Sequence, residues 1–389
     1  MAAGASVARP DPDLVAADLG SPNARAVYRD LLRFGPRSRS ELTTRLDLSA
    51  PTVTRVTRDL LDTRRVQQLS ATVRAKGRPH EPLDIEENLG PRFIGVKVTA
   101  DEIHLVVTTV RGNTLEELVL PVEDPAPAAV VDAITPPVIA LIEAHPYLAG
   151  IGVSLGGVVA ERRTVISATY LGWDQPVELK EMLEARVGLS VVIENDLVAM
   201  VSGLHWFGVG RAYDSFTVLT LGAGVGAATV IDDRMITGRH HLAGLTGRFF
   251  IGRTEGGDPL MLRDVASTEK IAGRARETGA LGPDEGVDRL RELLEVRDPA
   301  AVRVVEELSE AVAGAAAGIV ALVDPEALVL GGEGVDLVRA ADPVFDQTLR
   351  ELIAPAQRDI IVRRLSGEFD EWARGAAVIA IQEFVGAVH

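Results

Sequence analysis

Apolar positions along the chain change their spacing twice, and each change predicts a different kind of element. From Ser21 they recur three and four residues apart, the helical period. "SPNARAVYRDLLRFG" sets Val27, Leu31 and Phe34 on one face and stops at Gly35, a residue suited to capping a helix end. In "SRSELTTRLDL", Ser38 stands three residues before Glu41, the spacing at which each side chain satisfies an otherwise unpaired N–H at a helix start. After a turn at Asp47 and Leu48, Ser49 caps "APTVTRVTRDLLDTRR", with Pro51 tolerated in the first turn and Val53, Val56 and Leu60 facing inward. Three short helices in this order predict a helix-turn-helix. Beyond them, "VQQLSATVRAKGRPHEPLDI" has two extended runs around a basic tip, as in a β-wing.

The period then falls to two. "RFIGVKVTADEIHLVVTTVRGNTLEELVLPV" reads as three strands in a meander, turning near Thr99 to Asp101 and Arg111 to Asn113. Helical "AAVVDAITPPVIALIEA", strand "GIGVSL", helical "VELKEMLEARVG", strand "VVIEND" and helical "LVAMVSGLHWFG" alternate after it, so a mixed α/β body follows. The run "LGAGVGAATV" places Gly222, Gly224 and Gly226 two apart after a β-branched strand. Consecutive backbone N–H groups free of Cβ atoms can close around a phosphate. A returning strand follows these glycines where a dinucleotide fingerprint needs a helix, and a glycine turn without a ligand fits them equally well. Two more helices, at residues 309–323 and around "EFDEWARGAAVIAIQEFVG", carry no evident chemistry, and no internal repeat is visible.

Length and charge sharpen this division. A chain of 389 residues suits two or three domains. It has no uncharged apolar stretch of membrane-spanning length, its acid-bearing first 20 residues predict a disordered tail rather than a signal peptide, and the absence of cysteine rules out disulfides and thiolate zinc sites. A cytoplasmic protein is expected, associated with the nucleoid when bound to DNA. The net charge of −16 disfavours a nucleic-acid binder until it is divided: residues 21–80 hold thirteen Lys and Arg against five acids, a surplus of +8, which leaves −24 for the rest. A basic module that meets polyanions, joined to an acidic body that does not, is the reading this favours over a merely solvated basic face. The candidate DNA contacts are Arg39, Ser49, Pro51, Thr52, Thr54, Arg55 and Arg58 around the third helix, and Arg74, Lys76 and Arg78 at the wing tip, where Arg78 can enter a minor groove.

Five ordered segments, "LGW" at 171–173, "END" at 194–196, "LGAGVGAATV", "GRHHLAGLTGR" and "PEALVLGGEGV", together with "LSAPTVTRV" and "KGRP" upstream, resemble the ROK family of repressors and kinases. The resemblance runs from about Ser21 to the end. It implies an α/β chain in which a winged helix-turn-helix, residues 21–88, precedes a two-lobed sugar-kinase-like body of the actin-like ATPase fold. The first lobe is then 91–198 with the last helix, 371–389, packing back on it, and the second is 199–370 with the ligand cleft and oligomer contacts.

Position by position, the chain departs from the kinases it resembles. Their first hairpin carries Asp-x-Gly-Gly-Thr; here Lys97-Val98-Thr99-Ala100-Asp101 stands, which reverses the acid's charge and removes both glycines, so phosphoryl transfer is not expected. Asp196 matches the catalytic base and Asn195 a sugar-contacting neighbour. Tyr170 replaces an Asn, Leu245 a Glu, His241 a Gly and Arg248 a zinc-binding His, so neither zinc nor any cofactor is expected. The resemblance nominates Tyr170, Trp173, Asn195, Asp196, His240, His241, Leu245 and Arg248 as ligand-binding positions, although bonds from Asn195 and Asp196 to neighbouring backbone would fit as well. Gly222, Gly224 and Gly226 then form a relic phosphate loop. The expected protein is a non-enzymatic regulator, a homodimer or homotetramer on operator DNA, answering to a sugar or sugar derivative. The rivals are an active sugar kinase with a DNA module and a DNA-binding oligomer without an effector.

Overall fold

A computed structural model describes residues 19–70, 81–145, 147–365 and 370–386. Most of the expected tail and the wing-tip residues Arg74, Lys76 and Arg78 lie outside the described residues. Three helices open the described chain: α1 (Pro22–Phe34), α2 (Arg39–Leu46) and α3 (Ala50–Asp62). Their starts follow local chemistry. Ser38 and Glu41 form the reciprocal capping pair, and the Ser49 hydroxyl accepts the Thr52 N–H at 3.3 Å with Pro51 in the first turn. Strands β1 (Val66–Gln68) and β2 (Leu83–Ile85) pair antiparallel, and a bridge from Arg37 to Leu83 adds a third short edge.

The body begins with the meander β3 (Arg92–Val98), β4 (Glu102–Thr109) and β5 (Thr114–Pro121), followed by α4 (Pro127–Ala144) and β6 (Leu148–Leu155). A small hairpin, β7 (Val158–Ala160) and β8 (Thr164–Ser167), leads to α5 (Leu179–Val187), β9 (Val191–Asn195) and α6 (Asp196–Phe207). The sheet order is β5-β4-β3-β6-β9, with β3, β6 and β9 parallel. Alternation assigns its faces: Ile94, Val96 and Val98 share an apolar cluster with α4 and α5, so Phe93, Gly95 and Lys97 point to the opposite face. Among the described residues only α4 has the length and hydropathy of a membrane span, and its Val130, Ile134 and Val138 are buried in that cluster.

The second unit, residues 212–369, contains β10 (Phe216–Leu221), β11 (Val225–Ile231), β12 (Arg234–Met235), β13 (Phe250–Arg253) and β14 (Pro259–Met261). Helices α7 (Arg263–Ala266), α8 (Thr268–Glu277), α9 (Val287–Glu295) and α10 (Pro299–Val323) follow, then β15 (Ala327–Gly331), α11 (Val335–Arg339), α12 (Asp342–Leu352) and β16 (Ile361–Arg364). The main sheet reads β12-β11-β10-β15-β16, with an antiparallel meander and then parallel strands. This is the order of the first sheet. The chain does contain a repeat, invisible in the sequence because topology is preserved by alternation and turns rather than by residue identity.

The last helix, α13 (Asp370–Phe384), belongs to the first unit, which spans residues 1–211 and 370–389. Glycines make its seat: a Cβ on Gly152 would stand 1.7 Å from the Ala376 carbonyl oxygen, and one on Gly95 2.1 Å from that of Ala373. Helix α6 crosses α13 at Gly375, where a Cβ would meet the Ala199 carbonyl at 2.5 Å. For this reason α6 stays with the first unit, and the division falls after Arg211 instead of at the expected 198/199. Nor does the helix-turn-helix keep a core to itself. Val27, Tyr28, Leu31, Val53 and Val56 join one buried cluster with Phe93, Val110, Trp206, Val378 and Ile381.

Candidate functional site

Two candidate regions lie in the first unit. On α3, apolar Val53, Val56 and Leu60 are buried, leaving Thr54, Arg55 and Arg58 exposed on the other side. Thr54 donates its hydroxyl to the Ala50 carbonyl at 2.8 Å, Thr52 shares a 2.8 Å hydrogen bond with Ser49, and Arg55 stands 3.7 Å from Asp59 in a solvated pair. Such a pair is weak enough to yield to a phosphate or a base edge. Part of the basic surplus is engaged within the module. Arg45 binds the buried carboxylate of Asp30 at 2.9 Å with Arg37 at 3.6 Å, Arg65 is buried, and Arg39 donates to Thr57 at 3.0 Å, tying α2 to α3. Arg39 is therefore a brace between α2 and α3.

The module is fixed to the lobe by polar contacts as well. Arg111 reaches Asp84 and the Leu31 carbonyl, the latter at 3.2 Å, while Glu87 accepts from Thr109 at 2.6 Å and from Asn113 at 2.7 Å. Arg33, buried on α1, meets the ring nitrogen of buried His205 on α6 at 3.2 Å and lies over the Trp206 ring. Burial pushes the Tyr28 phenol up, against the opposing influence of the Arg65 and Arg111 charges, so it stays neutral in this interface.

The other end of α6 holds the second region. Asn195 ends β9 and caps the helix: its side-chain oxygen accepts the Val198 N–H at 3.2 Å and its amide donates to the Gly157 carbonyl at 2.8 Å. Asp196 accepts the Leu197 N–H on one oxygen and an ion pair from the Lys97 ammonium on the other. Lys97 is 7% exposed and Asp196 19%, so the pair is largely shielded from water, and the Trp372 ring of α13 lies 5.2 Å from the ammonium. Each carboxylate oxygen of Asp196 thus has a partner within the chain. The exposed Tyr170 ring flanks the same spot: a Cβ on Gly156 would lie 3.3 Å from Tyr170 and 3.5 Å from the Asp196 carboxylate. Trp173 does not join them. It is buried in the apolar cluster under α4 and donates its indole N–H to the Pro125 carbonyl at 2.6 Å, which makes it a core residue and corrects its nomination as a ligand contact.

In the second unit, the loop that follows β12 carries His240, His241, Leu245 and Arg248, all exposed. It is anchored along β11 by the Ala227 N–H donating to the Gly244 carbonyl at 2.8 Å, where a Cβ at 244 would stand 1.7 Å from the Ala227 oxygen. His241 adopts φ +54°, the left-handed region that favours glycine. The glycine turn between β10 and β11 holds Gly222 and Gly224, while Gly226 lies in β11, paired with Thr220. Among the described residues no group of three or more His, Asp or Glu side chains is placed to hold a metal.

The ROK family profile matches residues 93–383, which covers both lobes. The chain belongs to the ROK family. It is 30% identical over 302 residues to the glucokinase of Streptomyces coelicolor, across 71% of this chain and 93% of that one. It is 26% identical over 231 residues to the xylose repressor of Caldicellulosiruptor bescii, across 58% and 57% of the two chains. The crystal structure of a ROK family transcriptional regulator, a homologue of the Escherichia coli MLC protein, superposes with a TM-score of 0.79 at 21% identity and covers 93% of this chain and 97% of its own. Kinase and repressor relatives thus share the body, while the likeness of fold to the regulator extends over nearly the whole chain.

The first hairpin carries the departure from the kinase pattern that the sequence predicts, and there sequence reading was half blind. It registered that Lys97 reverses a charge but not that the ammonium lands on Asp196, since strand β3 and helix α6 are 99 residues apart. Alternation along β3 put Lys97 on the α13 face, and that signal was available. The turn itself closes on a side chain. Thr99 accepts the Glu102 N–H at 2.9 Å and the Asp101 N–H at 3.3 Å with its own hydroxyl oxygen, so backbone donors of this turn are engaged internally.

Proposed function

We propose that this ROK protein is a DNA-binding transcriptional regulator, a repressor of carbohydrate-related genes, controlled by a sugar or sugar derivative held in a body that no longer transfers phosphate. The observation that carries this reading is the largely shielded Lys97–Asp196 pair at the head of α6. It occupies the carboxylate that would activate a sugar hydroxyl, and the same helix ends at His205 and Trp206 against the DNA module. A sugar hydroxyl that competes with Lys97 for Asp196 would shift α6, and with it the seat of α1. Such a ligand releases DNA only if it binds the released arrangement more tightly than the DNA-bound one. Two copies would set two α3 helices on half-sites of an operator, with Arg55 and Arg58 toward base edges and phosphates.

The test is fluorescence anisotropy of DNA from upstream of the protein's own gene, at fixed salt, with and without a panel of sugars and sugar phosphates. Arg55→Ala is expected to weaken operator binding about tenfold and to relax sequence discrimination, because an arginine that reads a base edge contributes on the order of 1–3 kcal/mol. Unchanged affinity in that variant would overturn the docking. A second reading, a DNA-binding oligomer with no effector, draws support from the way Asn195 and Asp196 are already satisfied within the chain. A panel that never raises the melting temperature favours it.

A further inference from the structure

The glycine turn of the second unit already contains an anion. Strands β10 and β15 are parallel neighbours, Thr220 opposite Gly331, so the turns that follow them lie side by side at the carboxyl ends of the strands, where ligands of open α/β sheets bind. The second turn is clamped onto the first: the Gly334 N–H donates to the Leu221 carbonyl at 2.8 Å, and Gly332, at φ +85°, leaves no room for a Cβ, which would stand 2.3 Å from the same oxygen. From this clamp the Glu333 side chain reaches over the glycines. One carboxylate oxygen accepts the Ala223 N–H at 2.6 Å, and the carboxylate lies so close over Gly222 that a Cβ there would meet its atoms at 2.4–2.5 Å. Arg291 holds the Glu333 carbonyl at 2.6 Å and fixes the backbone from which the side chain projects.

We propose that this turn is an oxyanion site occupied by the protein's own Glu333, and that the carboxylate excludes phosphate-bearing ligands from it. Nothing in this depends on the DNA or sugar readings. A glycine turn with an exposed N–H attracts phosphate oxygens, and two anions cannot share it. Removing the carboxylate leaves the turn, its donor and its clamp in place and opens the site. Gly222 matters for the same reason, since a methyl group there collides with the carboxylate and, once the carboxylate is gone, closes the turn again.

The experiment is calorimetric titration of the full chain with inorganic pyrophosphate, for the wild type, Glu333→Ala and Glu333→Gln. Glu333→Ala is expected to bind pyrophosphate at least about tenfold more tightly than the wild type, the scale of one charge-assisted hydrogen bond gained with one repulsion removed. Glu333→Gln keeps the volume over Gly222 and is expected to bind less tightly than Glu333→Ala. Adding Gly222→Ala to Glu333→Ala should abolish the gain, and Gly222→Ala should lower the melting temperature more in the wild-type background than in the Glu333→Ala background. A folded Glu333→Ala protein that binds pyrophosphate no better than the wild type overturns the proposal, as does a gain that survives Gly222→Ala. If Glu333→Ala fails to fold, Glu333→Ser is judged by the same criterion.

Discussion

The first hairpins of the two lobes occupy the same place in sheets of the same strand order, yet they are filled in opposite senses. In the first lobe the glycines are gone, the turn amides bond to the Thr99 hydroxyl, and a cation, Lys97, lies on the carboxylate Asp196. In the second lobe the glycines remain, and an anion, Glu333, lies over them. Both arrangements answer the same physical demand. A buried or half-buried polar group needs a partner whether or not a substrate supplies one, and each hairpin now finds that partner within its own unit. Each turn is thereby held in shape by a side chain of its own unit.

The largest effect should come from separating Lys97 and Asp196. Lys97→Ala and Asp196→Asn each leave one largely shielded charge alone and should cost about 3 kcal/mol in urea unfolding, whereas replacing both residues should cost much less than the sum. Additive losses would mean the two do not form a unit. A smaller effect is expected at the Thr99 turn. Thr99→Val preserves shape but removes the acceptor for two amides, and about 1 kcal/mol should be lost in the same measurement; a neutral result would show that water replaces the hydroxyl and that the turn amides are open to a ligand. The smallest concerns the loop after β12. His241→Gly relieves a left-handed residue but adds freedom to the unfolded chain, so it should stabilise by no more than about 1 kcal/mol. A clear loss of stability there would mean the imidazole has a packing role.

How much of this was legible in the sequence depended on range. Ser38, Glu41, Ser49 and Pro51 announced the helix boundaries because capping acts over three or four residues. Period-two alternation announced the β3–β4–β5 meander in the same way. The order of the lobes and the place of Asp196 came through resemblance, whereas the glycine turn was visible in its own spacing. What stayed hidden were pairings across long separations: Lys97 with Asp196, Ala223 with Glu333, and Arg33 with His205. Composition misled in one respect. The basic surplus of residues 21–80 looked like a DNA face, but Arg33 and Arg65 are buried and Arg37 and Arg45 pair with Asp30, which concentrates the candidate contacts of α3 on Arg55 and Arg58. Trp173 misled differently, because a ligand-motif position and a core position look alike until the indole's hydrogen bond to Pro125 is placed.

The central claim is that the kinase-like body has kept its shape and lost phosphoryl transfer, and a sugar-dependent ADP-release assay tests it most directly. Purified full-length protein with ATP, magnesium and glucose, xylose or N-acetylmannosamine is expected to release no ADP above the sugar-free background. Sugar-dependent ADP release that disappears in Asp196→Asn would contradict the account, since it would mean that Asp196 leaves Lys97 to act as a base.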